Sequence, residues 1–512
     1  MKTTDTAEVA VGGRNEPTMS GNQQTTTVGQ LPAPTAANSR VSVALTRLVW
    51  LLFLGSVGAL GARLWTGEGW AAGPVAVDGL TVVMWVTVSF FSGIIHSYSR
   101  RYTAGNETID AFFARVFGFT LVVMGLVAAD NLLIFGLAWL AMGLVMADLI
   151  GHVEGWPQAQ AAASLARTYF LASSSLLALA LAVLYQQAGV TTLSGLPAAV
   201  ETTSTTVLLA AGAGLVLAAM LQSALIPFHC WLLASMTAPT PASALMHAGF
   251  VNAGGILLVR FAPIITVEVW VMLGIVLVGA ASALLGKLLK TVQTDVKSEL
   301  GCSTVGQMGF MVMQAGLGFF PAAVTHLILH GFYKAYQFLI SGSRVAHERP
   351  DKPDTDGSTG LLGVTVIVAT ALAGGAVFAV LTGKGTKLDS GLLLTGLVVL
   401  TVMHAARDLA GNAALPTTVR YGAVPLVALP AIAVYAGVYT AIEGLLHGLP
   451  AIGEPAELTV VHGIVAVAFL AAYLAVETGV YRRSRRLYVA LVNATRVPSD
   501  TLLTTTEDYN EY

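Results

Sequence analysis

The chain has 512 residues, 55% hydrophobic and 11% charged, with a mean hydropathy of +0.73 and a formal net charge of −2. Soluble globular chains carry about 25% charged residues, so a set of soluble domains is excluded, and the near-neutral balance offers no footprint for nucleic acid. What remains is an all-α, polytopic membrane protein whose partner is the lipid bilayer, and its 53 glycines suit close packing between transmembrane helices.

Residues 1–40 are polar and Thr-rich, with Pro32 and Pro34, and predict a disordered tail. They lack the charged start, apolar core and cleavage site of a signal peptide. From Val41 onward, apolar stretches of bilayer-spanning length (about 20 residues) recur almost without break. They are expected at 43–63, 78–97, 112–129, 131–151, 166–187, 205–226, 236–262, 268–290, 300–318, 321–343, 361–382, 388–410, 424–445 and 458–481, about 14 spans in all. A polar loop at 346–360 separates a motif-rich core, 41–345, from four plainer spans at 361–481, and a tail follows at 482–512.

The basic residues orient this order. With the N-terminus inside, cytoplasmic segments carry Arg100, Arg101, Arg167, Lys290, Lys297, Arg344, Arg349, Lys352 and Arg420, then the run Arg482, Arg483, Arg485, Arg486. The opposite loops hold little beyond Arg63, Arg260, Lys384 and Lys387. This asymmetry predicts an inner-membrane protein with both termini in the cytoplasm.

Ionisable side chains at bilayer depth are costly and mark function by default. In the tenth span, THLILHGFYKAYQFLISG, His326, His330 and Lys334 recur every four residues. Each step turns about 40° and rises about 6 Å, giving a stripe about 12 Å long. Histidine titrates near neutrality and a lysine out of water holds its proton less tightly, so bridged by water the three form a proton relay. The alternative is a lysine snorkelling to the interface and histidines bonding neighbouring helices.

In the segment from Leu221 to Gly255, Pro227, Pro239 and Pro241 remove backbone donors within an apolar region. Broken helices at this depth must face protein or a water-filled cavity. His229 and His247 flank the break; His247 joins the candidate path, while His229 is either a further member or an interfacial residue beside Trp231. Asp130 and Asp148, at the ends of the fourth span, read first as interfacial, Lys287 and Lys290 as anchors, and Asn252 and Gln307 as helix-to-helix bonds. Cys230 and Cys302 form no CxxC, and P-loop, GxSxG and zinc-ligand spacings are absent. The chain reads as a conduit with no cofactor of its own and not as an enzyme.

Three segments resemble the antiporter-like membrane subunits shared by respiratory complex I and the Mrp cation/proton antiporters. They are PFHCWLLASMTAPTPASALMHA (227–248), VQTDVKSELGCSTVGQMGFM (292–311) and THLILHGFYKAYQFLISGS (325–343), with weaker matches at 77–84 and 94–102. The resemblance implies an antiporter-like fold with broken helices and a hydrated proton axis, in which His247, His326, His330 and Lys334 match family positions. Two positions depart from it. Leu140 stands where the family has a glutamate after tryptophan, and Gln222 where it has a lysine. Gln222 is kept as a further member of the path, and Asp148, eight residues beyond Leu140, as a substitute acid.

These departures, the segment APTPASALMHAGFVNAGGILLVRFAP and the short C-terminus are similar to the DabB family, membrane subunits of a two-component inorganic carbon transporter. The resemblance implies a cytoplasmic DabA-like partner, a large zinc protein resembling a β-carbonic anhydrase. Cation flow through the membrane subunit, as protons or another cation, then drives CO2 hydration and bicarbonate accumulation. Zinc is expected on the partner, because hydration needs a metal-activated water. Two alternatives stand beside this expectation: a subunit of a complex I or Mrp type assembly, and a non-conducting anchor for a soluble enzyme.

Overall fold

The computed structural model describes residues 39–344, 360–410, 417–453 and 455–501. Residues 1–38 of the N-terminal tail expected to be disordered over 1–40, nearly all of the polar loop at 346–360 and the end of the C-terminal tail lie outside the described residues, while Ser39 and Arg40 cap and open the first helix.

Among the described residues, twelve helices are long and apolar enough to cross a membrane. The first six are Arg40–Thr66, Gly79–Tyr102, Ile109–Ala128, Leu132–Ile150, Pro157–Ala188 and Thr205–Gln222. The seventh and eighth are Thr240–Arg260 and Val269–Lys290. Two more polar helices follow as the ninth and tenth spans, Val296–Gly316 and Phe320–Leu339. The last four are Leu361–Thr382, Ser390–Ala410, Thr417–Leu446 and Val460–Glu477. Each matches one of the spans expected from hydropathy. The ninth and tenth carry the ionisable and polar groups of interest, which is why they are the least apolar. The all-α expectation holds apart from a short antiparallel ribbon, Trp70–Ala72 against Val75–Val77.

Helix ends follow local chemistry. Asp78, Asn131 and Asp295 accept from backbone N–H groups in the first turns of the second, fourth and ninth spans. Gly67 and Gly189 close the first and fifth in the left-handed conformation that glycine adopts without strain. Pro241 and Pro321 stand in first turns, where a missing N–H matters least. The break expected between His229 and His247 falls ahead of the seventh span, in the irregular stretch that ends at Pro239; the span itself is interrupted further on, past His247: Thr240–Ala248, a 3-10 turn at Phe250–Asn252, then Ala253–Arg260. The sixth and seventh are joined by an irregular segment containing the short helix Cys230–Ala234.

Lipid tails give helices no hydrophobic reason to associate, so close packing and hydrogen bonds decide how they pair. The eighth and ninth spans meet along a glycine seam. A side chain at Gly286 would run into the backbone of Gly306, and one at Gly279 into that of Gly309 and Met313. This approach sets the ninth span at the centre of the molecule. On one side it faces the seventh and tenth spans; on the other, Met313, Leu317 and Phe319 share a core with Phe378, Leu394 and Tyr439 of the last four spans.

Candidate functional site

The tenth span presents His326, His330 and Lys334 on one continuous face. Lys334 is fully buried and His330 is 6% exposed, while His326 is part-buried. The two imidazoles stack, with ring centroids 5.7 Å apart and planes 18° from parallel. The Nε2 atom of each histidine has no hydrogen-bond partner in the protein. Gly331 lets the helix close on Phe91 and the Ala248 carbonyl, where any side chain would collide. Lys334 does not snorkel: its Nζ donates to the Leu300 carbonyl at 2.8 Å.

His247, fully buried in the seventh span, joins the same group through the ninth. Its Nδ1 lies 2.9 Å from Thr304 Oγ1, and the Thr304 hydroxyl donates to the Leu300 carbonyl at 2.8 Å. The threonine proton is thus committed, so Nδ1 of His247 must carry the proton it donates. Nε2 is then the free lone pair, and it too has no protein partner. Phe338, one turn beyond Lys334, stacks on the imidazole at 4.2 Å and holds its plane.

The other sequence candidates lie apart from this group. Asp148 is half-exposed and pairs with Arg167 at 2.8 Å. His229 Nε2 bonds the Ala494 carbonyl at 2.9 Å, tying the break before the seventh span to the C-terminal helix Arg485–Ala494. Gln222 is fully buried with neither side-chain polar atom paired. Asn252 Nδ2 donates to the Ala248 carbonyl at 2.8 Å, a bond within its own broken span and not the helix-to-helix bond expected of it.

Sequence reasoning passed over three contributors. Thr304 lies inside a quoted motif, but a threonine there is indistinguishable from helix filler until its partner is known. Lys297, taken as a loop cation, reaches back to the carbonyls of Met236 and Ala238 at 3.2 and 2.9 Å. These carbonyls lie in the irregular segment ahead of Pro239, so Lys297 holds the entry to the seventh span. The third contribution comes from the last four spans, which are not plain. Lys287 Nζ meets His404 at 3.0 Å; His404 in turn meets Glu477 at 3.0 Å, and Arg407 pairs with the same carboxylate at 2.5 Å. Lys287 is therefore part of a polar network and more than an interfacial anchor.

His326, Lys287 and His404 border a cavity of about 560 Å³ between the eighth, ninth and tenth spans and the last three. His326, Gln307, Gln314 and Tyr435 line its interior; Lys287, Lys290 and His404 line the end beside the loops that follow even-numbered spans. At about 30 Å³ per water it has room for well over a dozen. Among the described residues, no three His, Cys, Asp or Glu side chains converge as metal ligands would.

Residues 129–379 match the family described as the transmembrane part of NADH:quinone oxidoreductase and Mrp antiporter subunits. Over 331 residues the chain is 37% identical to the probable inorganic carbon transporter subunit DabB1 of Halothiobacillus neapolitanus, covering 61% of this chain and 57% of that one. It is 30% identical over 445 residues to NADH-quinone oxidoreductase subunit L of Mycobacterium tuberculosis, covering 78% of this chain and 70% of that one. The chain belongs to the antiporter family of membrane subunits and is DabB-like within it. It is accordingly a multi-pass membrane protein. The fold agrees with the Mrp complex from Dietzia sp., with a TM-score of 0.55 at 20% identity over 88% of this chain and 57% of that one. The matched part spans little more than half the length of the DabB1 relative.

Proposed function

We propose that this DabB-like chain is the proton-conducting coupling subunit of an inorganic carbon transporter. The observation that carries the reading is the burial of His247 and Lys334, from two spans, around one carbonyl of a third, with His330 buried one turn before Lys334. Buried polar atoms are nearly always satisfied, yet His247, His326 and His330 each present a bare Nε2 atom. Bridging water is the natural partner, and imidazole–water chains pass protons. Three ionisable groups kept at this depth for packing alone would be a poor use of a membrane interior.

In this reading protons pass among His247, His330 and His326 under the control of Lys334, and exchange with the cavity that ends at Lys287 and His404. That end lies on the cytoplasmic side of the inner membrane, because Arg100, Arg101, Lys290, Lys297, Arg485 and Arg486 all lie on the same face. There the flow drives CO2 hydration, and so bicarbonate accumulation, in a cytoplasmic zinc-bearing partner resembling a β-carbonic anhydrase. A zinc ion would supply a metal-activated water, and the catalytic step belongs to that partner.

Growth of a carbonic-anhydrase-deficient bacterium in ambient air tests the proposal, with this chain expressed alongside its neighbouring gene. Wild type rescues growth, and Lys334→Ala and His330→Ala lose it at matched membrane levels with the partner still bound. Rescue by both variants would leave the chain an anchor, and no rescue by wild type would remove the carbon-transport assignment.

A further inference from the structure

The thirteenth span carries a second polar stripe with the four-residue spacing of the first: Tyr435, Tyr439 and Glu443, continued by His447 just past the helix end. From Tyr435 to His447 it runs about 18 Å along the helix. Its two ends face different cavities. Tyr435 lines the cavity that holds His326, whereas Glu443 and His447 line a separate cavity of about 760 Å³ at the opposite face, bordered also by Thr266, Pro321 and Glu457.

Between the two sits Tyr439, fully buried, whose hydroxyl donates to Glu443 Oε1 at 3.1 Å. Lys384 pairs with the same oxygen at 3.1 Å and lies over the Phe319 ring. Around Tyr439 the layer is closed by Phe319, Phe378, Leu394 and Val465. The phenol is thus a polar connection through an apolar plug, with a carboxylate at one mouth and a histidine-lined cavity at the other.

We propose that this stripe is the outer half of the proton path, with Glu443 as the acid at the mouth and Tyr439 as the relay through the plug. The inference rests on the proton-conducting reading above. A hydroxyl suits the step because it can pass its own proton to the Glu443 carboxylate while accepting another from water on the Tyr435 side. The phenol ends neutral, one proton has moved outward, and reversing both transfers moves one inward.

The test is proton flux into proteoliposomes containing the full chain with its co-expressed neighbour, read by an entrapped pH dye under an imposed potential. Glu443→Gln and Tyr439→Phe are expected to lower flux roughly tenfold or more, as loss of a positioned proton-transfer group does. Lys384→Gln, which keeps the carboxyl at the mouth, is expected to stay within about threefold of wild type. Tyr439→Phe removes one oxygen and keeps the packing, so it carries the test if Glu443→Gln fails to fold. Wild-type flux in both Glu443→Gln and Tyr439→Phe, with Lys334→Ala inactive, would overturn the inference and leave the first stripe standing. A loss in Lys384→Gln as deep as in Glu443→Gln would overturn it too, making Glu443 an ion-pair brace. No flux in wild type would remove the conducting reading itself.

Discussion

His247 and Lys334 are tied to one oxygen atom, the carbonyl of Leu300: the lysine donates to it directly and the histidine reaches it through Thr304. The arrangement fixes the histidine tautomer and holds the lysine in the membrane interior without a carboxylate beside it. Thr304→Val keeps the shape and removes the hydroxyl, so the imidazole loses its orienting partner. We expect a stability loss of about 1–3 kcal/mol with a larger fall in proton flux, and recovery of both in Thr304→Ser. Thermal unfolding and flux measured on the same preparations check this; full flux in Thr304→Val would show that the tautomer is not set by Thr304.

Lys297 gives a second prediction. Its ammonium satisfies two carbonyls that the irregular backbone before Pro239 leaves without helical partners. Lys297→Met retains much of the stem's packing but leaves the Met236 carbonyl without its side-chain donor and the Ala238 carbonyl with only the Ser243 hydroxyl at 3.3 Å, a loss of about 1–2 kcal/mol on the scale of unsatisfied groups. Because those carbonyls lead into the helix that carries His247, flux should fall with stability. Lys297→Arg should recover most of both, since a guanidinium can also donate twice. An unchanged unfolding midpoint in Lys297→Met would show that the bend holds itself.

The spans were legible because about 20 apolar residues are needed to cross a bilayer whatever lies around them. The irregular backbone ahead of the seventh span was legible from Pro227 and Pro239, and the first stripe from a strict four-residue spacing of charged types; the interruption inside the span, at Phe250–Asn252, carries no proline and was not legible. Thr304 and the Leu300 carbonyl were not, since a helix position does not reveal which neighbour it meets. The stripe on the thirteenth span was hidden for another reason. Tyrosine is only weakly polar in hydropathy, and the single carboxyl of Glu443 leaves that helix with a mean hydropathy of 1.7 over its most apolar window. Asking of every ionisable residue in a span, however apolar its surroundings, what it is for would have found Glu443, His404 and Glu477.

A pH dependence follows from His152, in the loop between the fourth and fifth spans. Arg115 lies 2.9 Å from Nδ1, and Nε2 lies 3.1 Å from Thr108, whose own proton goes to Asn106. The ring is therefore an acceptor on one side and a donor on the other, which is the neutral form. Burial first, and then the Arg115 charge, push its pKa below 6.5, with Glu154 opposing weakly. Unfolded chains bind a proton here that the folded chain refuses, so stability is full above 6.5 and declines as pH falls below it. Unfolding midpoints between about pH 7.5 and about pH 5.5 should drop more steeply in wild type than in His152→Gln. Parallel curves would mean that His152 titrates alike in both states.

Asp148 is the remaining candidate for the acid that Leu140 does not supply, and the structure argues against that role. Eight residues place it about 12 Å further along the fourth span and about 80° round it. Its carboxylate is 49% exposed and held by Arg167, itself 47% exposed, at 2.8 Å. Trp139, beside the missing acid, instead points into the core and donates to Ser173 at 3.2 Å. An ion pair so open to solvent contributes no more than about 1 kcal/mol. Asp148→Asn should thus leave stability almost unchanged and proton flux within about twofold of wild type. Loss of flux with an unaltered unfolding midpoint would instead place Asp148 on the path. It would also require a hydrated connection from the fourth span to His247 that the packing of Trp139, Phe170 and Trp231 closes.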